Sequence, residues 1–135
     1  MELDEAAAQS FLARTQIGTI AIERKSGPPL ALPIWYDYAP GGDVRIVTPA
    51  ESFKARLLRA AGRCSLVVDT VEPRIIFVSV ECELVDELPP SKDNNRLMAS
   101  RYLPPEAVEG FVETMPAEAL FSLRPTRWRT ADLGQ

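Results

Sequence analysis

Histidine is absent from the 135 residues. That one absence removes the usual general base, the commonest nitrogen ligand for metals and the usual haem ligand, so Ser–His triads and histidine metal sites are excluded. Cysteine is scarce. Cys64 and Cys82 stand without metal-ligand spacing, each inside an apolar run where a free thiol behaves as a small hydrophobe. Both are read as reduced core residues, which sets the expectation of a cytoplasmic protein. Positive charge is in deficit: 15 Lys and Arg against 19 Asp and Glu give a net charge of −4, and the electropositive footprint of a nucleic-acid binder is missing. Long hydrophobic runs are missing too. The opening MELDEAAAQSFLART is acidic and lacks the apolar stretch of an export signal, and no segment approaches membrane-spanning length. The expectation is a protein with no membrane and no nucleic-acid partner. There is also no repeat and no low-complexity tract, so residues 1–135 are read as a single domain.

What is present is a chain 46% hydrophobic, enough for a real core. Leu3, Ala7, Ala8, Phe11 and Leu12 recur at helical spacing and predict an amphipathic helix ending near Arg14. The period then changes. IGTIAIE (17–23) and PLALPIWYDY (29–38) form a hairpin across a Gly/Pro loop, with Pro33 marking an edge position or a bulge because it cannot donate to a ladder. PGGD (40–43) turns the chain into a third strand, VRIVT. After a helix, CSLVVDT (64–70) and RIIFVSVECELV (74–85) supply two more strands, the second with Ile76, Val78, Val80, Cys82 and Leu84 on one face. PPSKDNN (89–95) breaks the pattern, helical residues follow around 97–102, and a further helix opens at Pro104-Pro105-Glu106 and reaches about Met115. A last strand runs over 118–129. Six strands joined mostly by hairpin-length links predict a small closed or split antiparallel barrel, mainly β with flanking helices; a ferredoxin-like layer is the alternative.

The stretch VTPAESFKARLLRAAGR (47–63) poses a question of charge. Thr48-Pro49-Ala50-Glu51 reads as a helix start, with Thr as cap and Pro at the first helical position, and Gly62 as its stop. Lys54 and Arg56 then fall near the helix end whose free N–H groups already carry positive partial charge. One reading is an anion site for the phosphate of a small ligand, with Ser52 and Thr48 adding hydroxyls. The other is that Lys54 pairs with Glu51 three residues earlier, and that Arg56, Arg59 and Arg63 form a solvated stripe. Charge alone leaves both open.

The pieces PIWY (33–36), SFKAR (52–56), FVSVE (77–81) and RPTRW (124–128), in this order and with these gaps, resemble the flavin- and deazaflavin-dependent oxidoreductases of the pyridoxamine 5'-phosphate oxidase-like type. The likeness runs from about Phe11 to Gly134. It implies a six-stranded split β-barrel and a homodimer, with FMN or coenzyme F420 as cofactor. It also implies that Thr48, Ser52, Lys54 and Arg56 hold the phosphate side, while Pro33, Ile34, Trp35 and Tyr36 line the tricyclic ring. The implied activity is hydride transfer to or from a small organic substrate, with no catalytic side chain and no metal. The alternative is a flavin- or tetrapyrrole-binding protein for storage, sensing or transfer. The longer acidic tail of F420 would call for extra cations, for which Arg59, Arg63 and Arg96 are the candidates.

Other residues carry weaker signals. Trp35 and Tyr36 are neighbours in a strand, so they point to opposite faces and only one enters the core. Trp128 between two arginines and Tyr102 at a helix end are read as packed and satisfied residues. Glu81 and Glu83 are read as solvated.

Overall fold

A computed structural model describes residues 1–134. Four helices and six strands follow in the order α1 (Glu5–Leu12), β1 (Gly18–Ile22), β2 (Leu30–Ile34), β3 (Val44–Thr48), α2 (Phe53–Ala61), β4 (Arg63–Thr70), β5 (Ile75–Ser91), α3 (Lys92–Tyr102), α4 (Pro105–Thr114) and β6 (Glu118–Gly134). All strand pairs are antiparallel, in the order β2-β1-β4-β5-β6-β3. The sheet curls until its two edges meet at one rung. Just beyond β2, the Asp37 N–H donates to the Arg45 carbonyl (2.9 Å) and the Arg45 N–H donates to that of Asp37 (2.8 Å). The two side chains repeat the contact as an ion pair. The predicted split antiparallel barrel is therefore the observed one.

Alternation dictates the interior. β3 buries Val44, Ile46 and Thr48, and β4 buries Cys64, Leu66 and Val68, every second residue as a strand period of two requires. Phe121, Tyr36 and Leu12 fill the middle, and α2 closes over them with Ala55 and Leu58. Gly18 has a steric reason: a Cβ there would lie 2.8 Å from Leu66 Cδ1 and 3.3 Å from the Tyr36 ring. Pro33 sits on the edge strand β2 with its ring exposed, as its missing donor demands. Cys64 and Cys82 face one another in register on β4 and β5, both buried as free thiols.

Several boundaries differ from the sequence reading: β2 stops at Ile34 rather than Tyr38, α3 starts at Lys92 rather than near Leu97, β6 runs on to Gly134 rather than Arg129, and the end of β5 and the start of α2 move as well. β5 continues through Pro89 and Pro90 to Ser91, because register shifts near Leu88 and Ser91 remove the need for a donor at each proline. α2 begins at Phe53, with Ser52 as its cap: the Ser52 hydroxyl accepts from the Ala55 N–H (3.1 Å), while 49–52 form a turn closed by Ser52 N–H to Pro49 O (3.0 Å). The Gly62 stop is as expected, at φ +70°.

Helices α3 and α4 pack a small cluster of their own, Ala99, Val108 and Val112 with Leu103 and Phe111. Side chains fasten this hairpin together and to the barrel. Lys92 Nζ donates to Val112 O (2.6 Å) at the end of α4, and buried Asn94 and Asn95 bond the backbone where β6 begins.

Candidate functional site

Closure of the barrel at a single rung leaves a gap. Antiparallel continuation from Asp37 and Arg45 would place Trp35 opposite Val47, and no bridge joins them. Both instead line a cleft of about 180 Å³, together with Pro33, Ile34, Asn95, Met98, Ala99, Phe111 and Glu118. The helical hairpin roofs it. Trp35 stands out from the barrel, stacked on Tyr102 (centroids 4.7 Å apart, planes at 12°) and tilted against Phe111 at 6.0 Å. Tyr36 points the other way. It is fully buried in the barrel, and its hydroxyl donates to Leu12 O at 2.6 Å. Burial pushes the Tyr36 phenol up to about 12.

Residues 48–56 do not line the cleft, but Thr48 pairs with Ala119 and so brings the cleft's Glu118 beside the turn that leads into α2. Thr48 is buried, its hydroxyl 3.1 Å from that of Ser52. Ser52 is spent on capping. The Phe53 and Lys54 N–H groups are left without an acceptor among the described residues, as the first turn of any helix leaves them. Lys54 is half-buried and, among the described residues, makes no ion pair and no hydrogen bond; burial holds its ammonium below the usual lysine range. Arg56 is exposed on the same turn. The Glu51 pairing that the spacing allows is not formed. Glu51 is exposed and bears on Arg59 instead.

The cations proposed for an acidic tail are all engaged. Arg59 forks onto Glu87 (2.8 and 2.7 Å), Arg63 meets Glu23 (2.6 Å), and Arg96 reaches Glu109 (2.8 and 3.0 Å) and Asp93 (2.6 Å). A wider depression of about 380 Å³ on the outer face of β1, β4 and β5 is walled by Glu23, Glu81 and Glu83, and its Arg63 is the one held by Glu23. It offers no unpaired cation. The Glu81 side chain is solvent-accessible, as read, and pairs with Arg129 at the surface, Trp128 packs edge-on to Tyr38 at 6.3 Å, and Tyr102 is satisfied by Gln16 O (2.6 Å). No group of three or more His, Cys, Asp or Glu suited to a metal ion occurs among the described residues.

Of the eight residues singled out in the sequence, the structure brings Pro33, Ile34 and Trp35 into one cleft wall and Thr48, Ser52, Lys54 and Arg56 around the start of α2; Tyr36 belongs to neither group and lies in the core, where Ile34 and Thr48 are also buried. Sequence reasoning missed Asn95, Met98, Phe111 and Glu118. The signal for the first was available: two adjacent asparagines, both buried, in a run that reads as a breaker.

The architecture is that of the pyridoxamine 5'-phosphate oxidase-like split barrels. Solved structures with this fold include a conserved hypothetical protein, Rv2991, from Mycobacterium tuberculosis, at TM-score 0.76 and 22% identity over 96% of this chain and 85% of that one. An F420 reductase matches at TM-score 0.71 and 21% identity, covering 90% of this chain and 94% of its own. A protein described as a putative pyridoxamine 5'-phosphate oxidase from Listeria innocua matches at TM-score 0.67 and 13% identity, covering 96% and 97%. No protein-family model and no curated protein sequence matches the chain. Among the described residues, no helix is long and apolar enough to cross a membrane.

Proposed function

We propose that this protein is a cytoplasmic oxidoreductase that binds FMN or F420 and passes a hydride to or from a small organic substrate. One observation carries the reading: a half-buried lysine without a counter-ion, beside two free helix amides, just past the turn that meets the Glu118 wall of a cleft lined by tryptophan and phenylalanine. A desolvated cation in that position is costly unless an anion completes it. Lys54, with Arg56 and the α2 amides, holds the phosphate. Trp35, Ile34 and Pro33 face the ring. The bound cofactor supplies the hydride chemistry, and the chain's own residues bind, orient and exclude water. The engagement of Arg59, Arg63 and Arg96 with carboxylates favours FMN, since an acidic tail would have to compete with Glu87, Glu23 or Glu109. The test is the absorbance spectrum of protein purified from a host that makes both cofactors, followed by turnover with the reduced cofactor. A coloured protein without turnover would point to a carrier or sensor, and a colourless one that takes up neither cofactor would overturn the reading.

The proposal includes a homodimer whose second copy completes the cofactor site. Phe77, Val85 and Leu88 on β5 are exposed apolar residues of a 17-residue strand, the surface such a contact would cover. We expect more than roughly 2,000 Å² buried in total, the size of an obligate interface. A monomer by sedimentation at micromolar concentration would count against it.

A further inference from the structure

Glu118 is the one ionisable residue in the wall of the cleft. Its backbone is fixed on both sides: the N–H donates to Asn95 Oδ1 (2.8 Å) and the carbonyl accepts from Asn94 Nδ2 (2.8 Å). Its carboxylate is poorly provided for. Asn95 Nδ2 gives one N–H to Pro116 O (3.0 Å) and reaches Glu118 Oε1 with the other only at 3.5 Å, a long and weak contact. Other acids differ: Asp37, Glu23, Glu81, Glu87, Glu109 and Asp132 each have an arginine in direct contact. Glu118 has none.

The charge that does act on it is Lys54. The two are half-buried and form no direct ion pair; Glu118 lines the cleft and lies beside the turn that leads to Lys54. No other charge bears on Glu118 from the elements around it. From β5 its partner is Ser91; from α3, Lys92 is committed to the α4 carbonyls and Arg96 to Glu109 and Asp93; from α2, Arg59 is held by Glu87; from β3, Arg45 is held by Asp37. Burial raises the Glu118 carboxyl above the ordinary carboxylate range, Lys54 opposes that rise, and the reverse holds at Lys54. Neither group is fully neutralised by the other.

We infer that Glu118 competes with the ligand's anionic group for Lys54, and that anion binding there is accompanied by addition of one solvent proton to the Glu118 carboxyl. The inference rests on the reading of Lys54 as the anion holder. Lys54 cannot neutralise two anions in a partly desolvated space, and the exposed Arg56 serves the ligand alone. Burial favours the protonated Glu118 carboxyl; a phosphate monoester, with its second pKa of about 6, can share the proton, whereas a sulfate cannot. Once protonated it becomes an O–H donor that faces the cleft, so the bound state satisfies what the free state leaves open. Glu118 thus sets the pH at which the site accepts an anion: charged, it opposes one, and protonated, it admits one.

Inorganic sulfate is the probe, because its charge is constant across the range in which carboxyls titrate. Binding is followed by the amide shifts of Phe53 and Lys54 at fixed ionic strength. In the wild type the dissociation constant should rise by about tenfold or more from about pH 5 to about pH 8, as unfavourable charge develops on Glu118. Calorimetry in two buffers of different ionisation enthalpy should register proton uptake on sulfate binding, about half a proton midway through a tenfold change and more for a larger one. Glu118→Gln should bind at about pH 8 as tightly as the wild type does at about pH 5, with no pH dependence and no proton uptake. The wild-type proton count decides even if the glutamine variant fails to fold. Sulfate binding that is lost in Lys54→Ala but flat with pH in the wild type would overturn the role of Glu118 and leave the anion site standing. Equal binding by wild type and Lys54→Ala would overturn the anion site itself, and this inference with it. A pH slope unchanged in Glu118→Gln would assign the proton to another group and overturn the inference alone.

Discussion

Replacing Lys54 with alanine should weaken FMN binding by roughly 10- to 150-fold, the equivalent of about 1.5–3 kcal/mol for a charge-assisted contact. The same substitution should not harm the empty protein. Lys54 sits in the first turn of α2, where its charge opposes the helix dipole, and burial depresses its ammonium with only a distant Glu118 in compensation. A group whose folded value is lowered in this way costs stability at every pH below that value, so its removal relieves a penalty at neutral pH. The apo form of Lys54→Ala should therefore melt no lower than wild-type apo protein, while the gap between apo and holo melting temperatures shrinks. Arg59→Ala is the control. It breaks an exposed, solvent-screened pair with Glu87 and should leave FMN affinity unchanged. A Lys54→Ala protein that binds FMN as before would place the phosphate elsewhere.

Tyr36→Phe should show the opposite pattern, a loss of stability with no loss of binding. The hydroxyl donates to Leu12 O (2.6 Å) and lies 3.2 Å from Gln16 Nε2, which donates to it. Phenylalanine keeps the ring and leaves the carbonyl at the end of α1 without its partner. The cost is about 1–3 kcal/mol, a fall of roughly 3 to 12 °C in Tm for a chain of this size. The effect has a pH signature. With the phenol pushed up to about 12 by burial, from an ordinary value of 10.0, the tyrosine's contribution is complete below about 10 and is lost as pH rises through about 12. The wild type should approach the variant's stability across that window. FMN affinity should stay within about twofold, because the side chain faces the barrel and not the cleft. Binding lost without any fall in Tm would place the phenol against the ligand after all.

The barrel was legible because strand periodicity is local. Each of the six strands announces itself by alternation and each turn by its Gly or Pro, and the resemblance supplied the closure. The start of α2 was misplaced because Thr48-Pro49 carries the same cap grammar as Ser52, and only the pairing of Thr48 with Ala119 shows that Thr48 still belongs to a strand. The continuation of β5 through two prolines was hidden for a related reason, since a register shift is a property of two strands and leaves no mark on either alone. In the site, Lys54 could be found from its conflict with the dipole. Glu118 could not. Nothing near it in sequence distinguishes it from a surface acid, and its importance comes from three elements that meet only in the folded chain.

The Tyr102 hydroxyl also explains how one segment serves two edges of the sheet. The β1–β2 ladder ends at Gly18 opposite Ile34, and its next rung would join Gln16 to Tyr36. The phenol of α3 occupies that rung: it donates to Gln16 O at 2.6 Å and accepts from the Tyr36 N–H at 3.1 Å. A helix side chain thus spells the last step of a β-ladder and forks the chain there, releasing Trp35 to Asp37 from β1 so that Asp37 can cross to Arg45. The cleft opens on the other edge of that segment, between Trp35 and Val47, where the crossing to β3 is not yet complete.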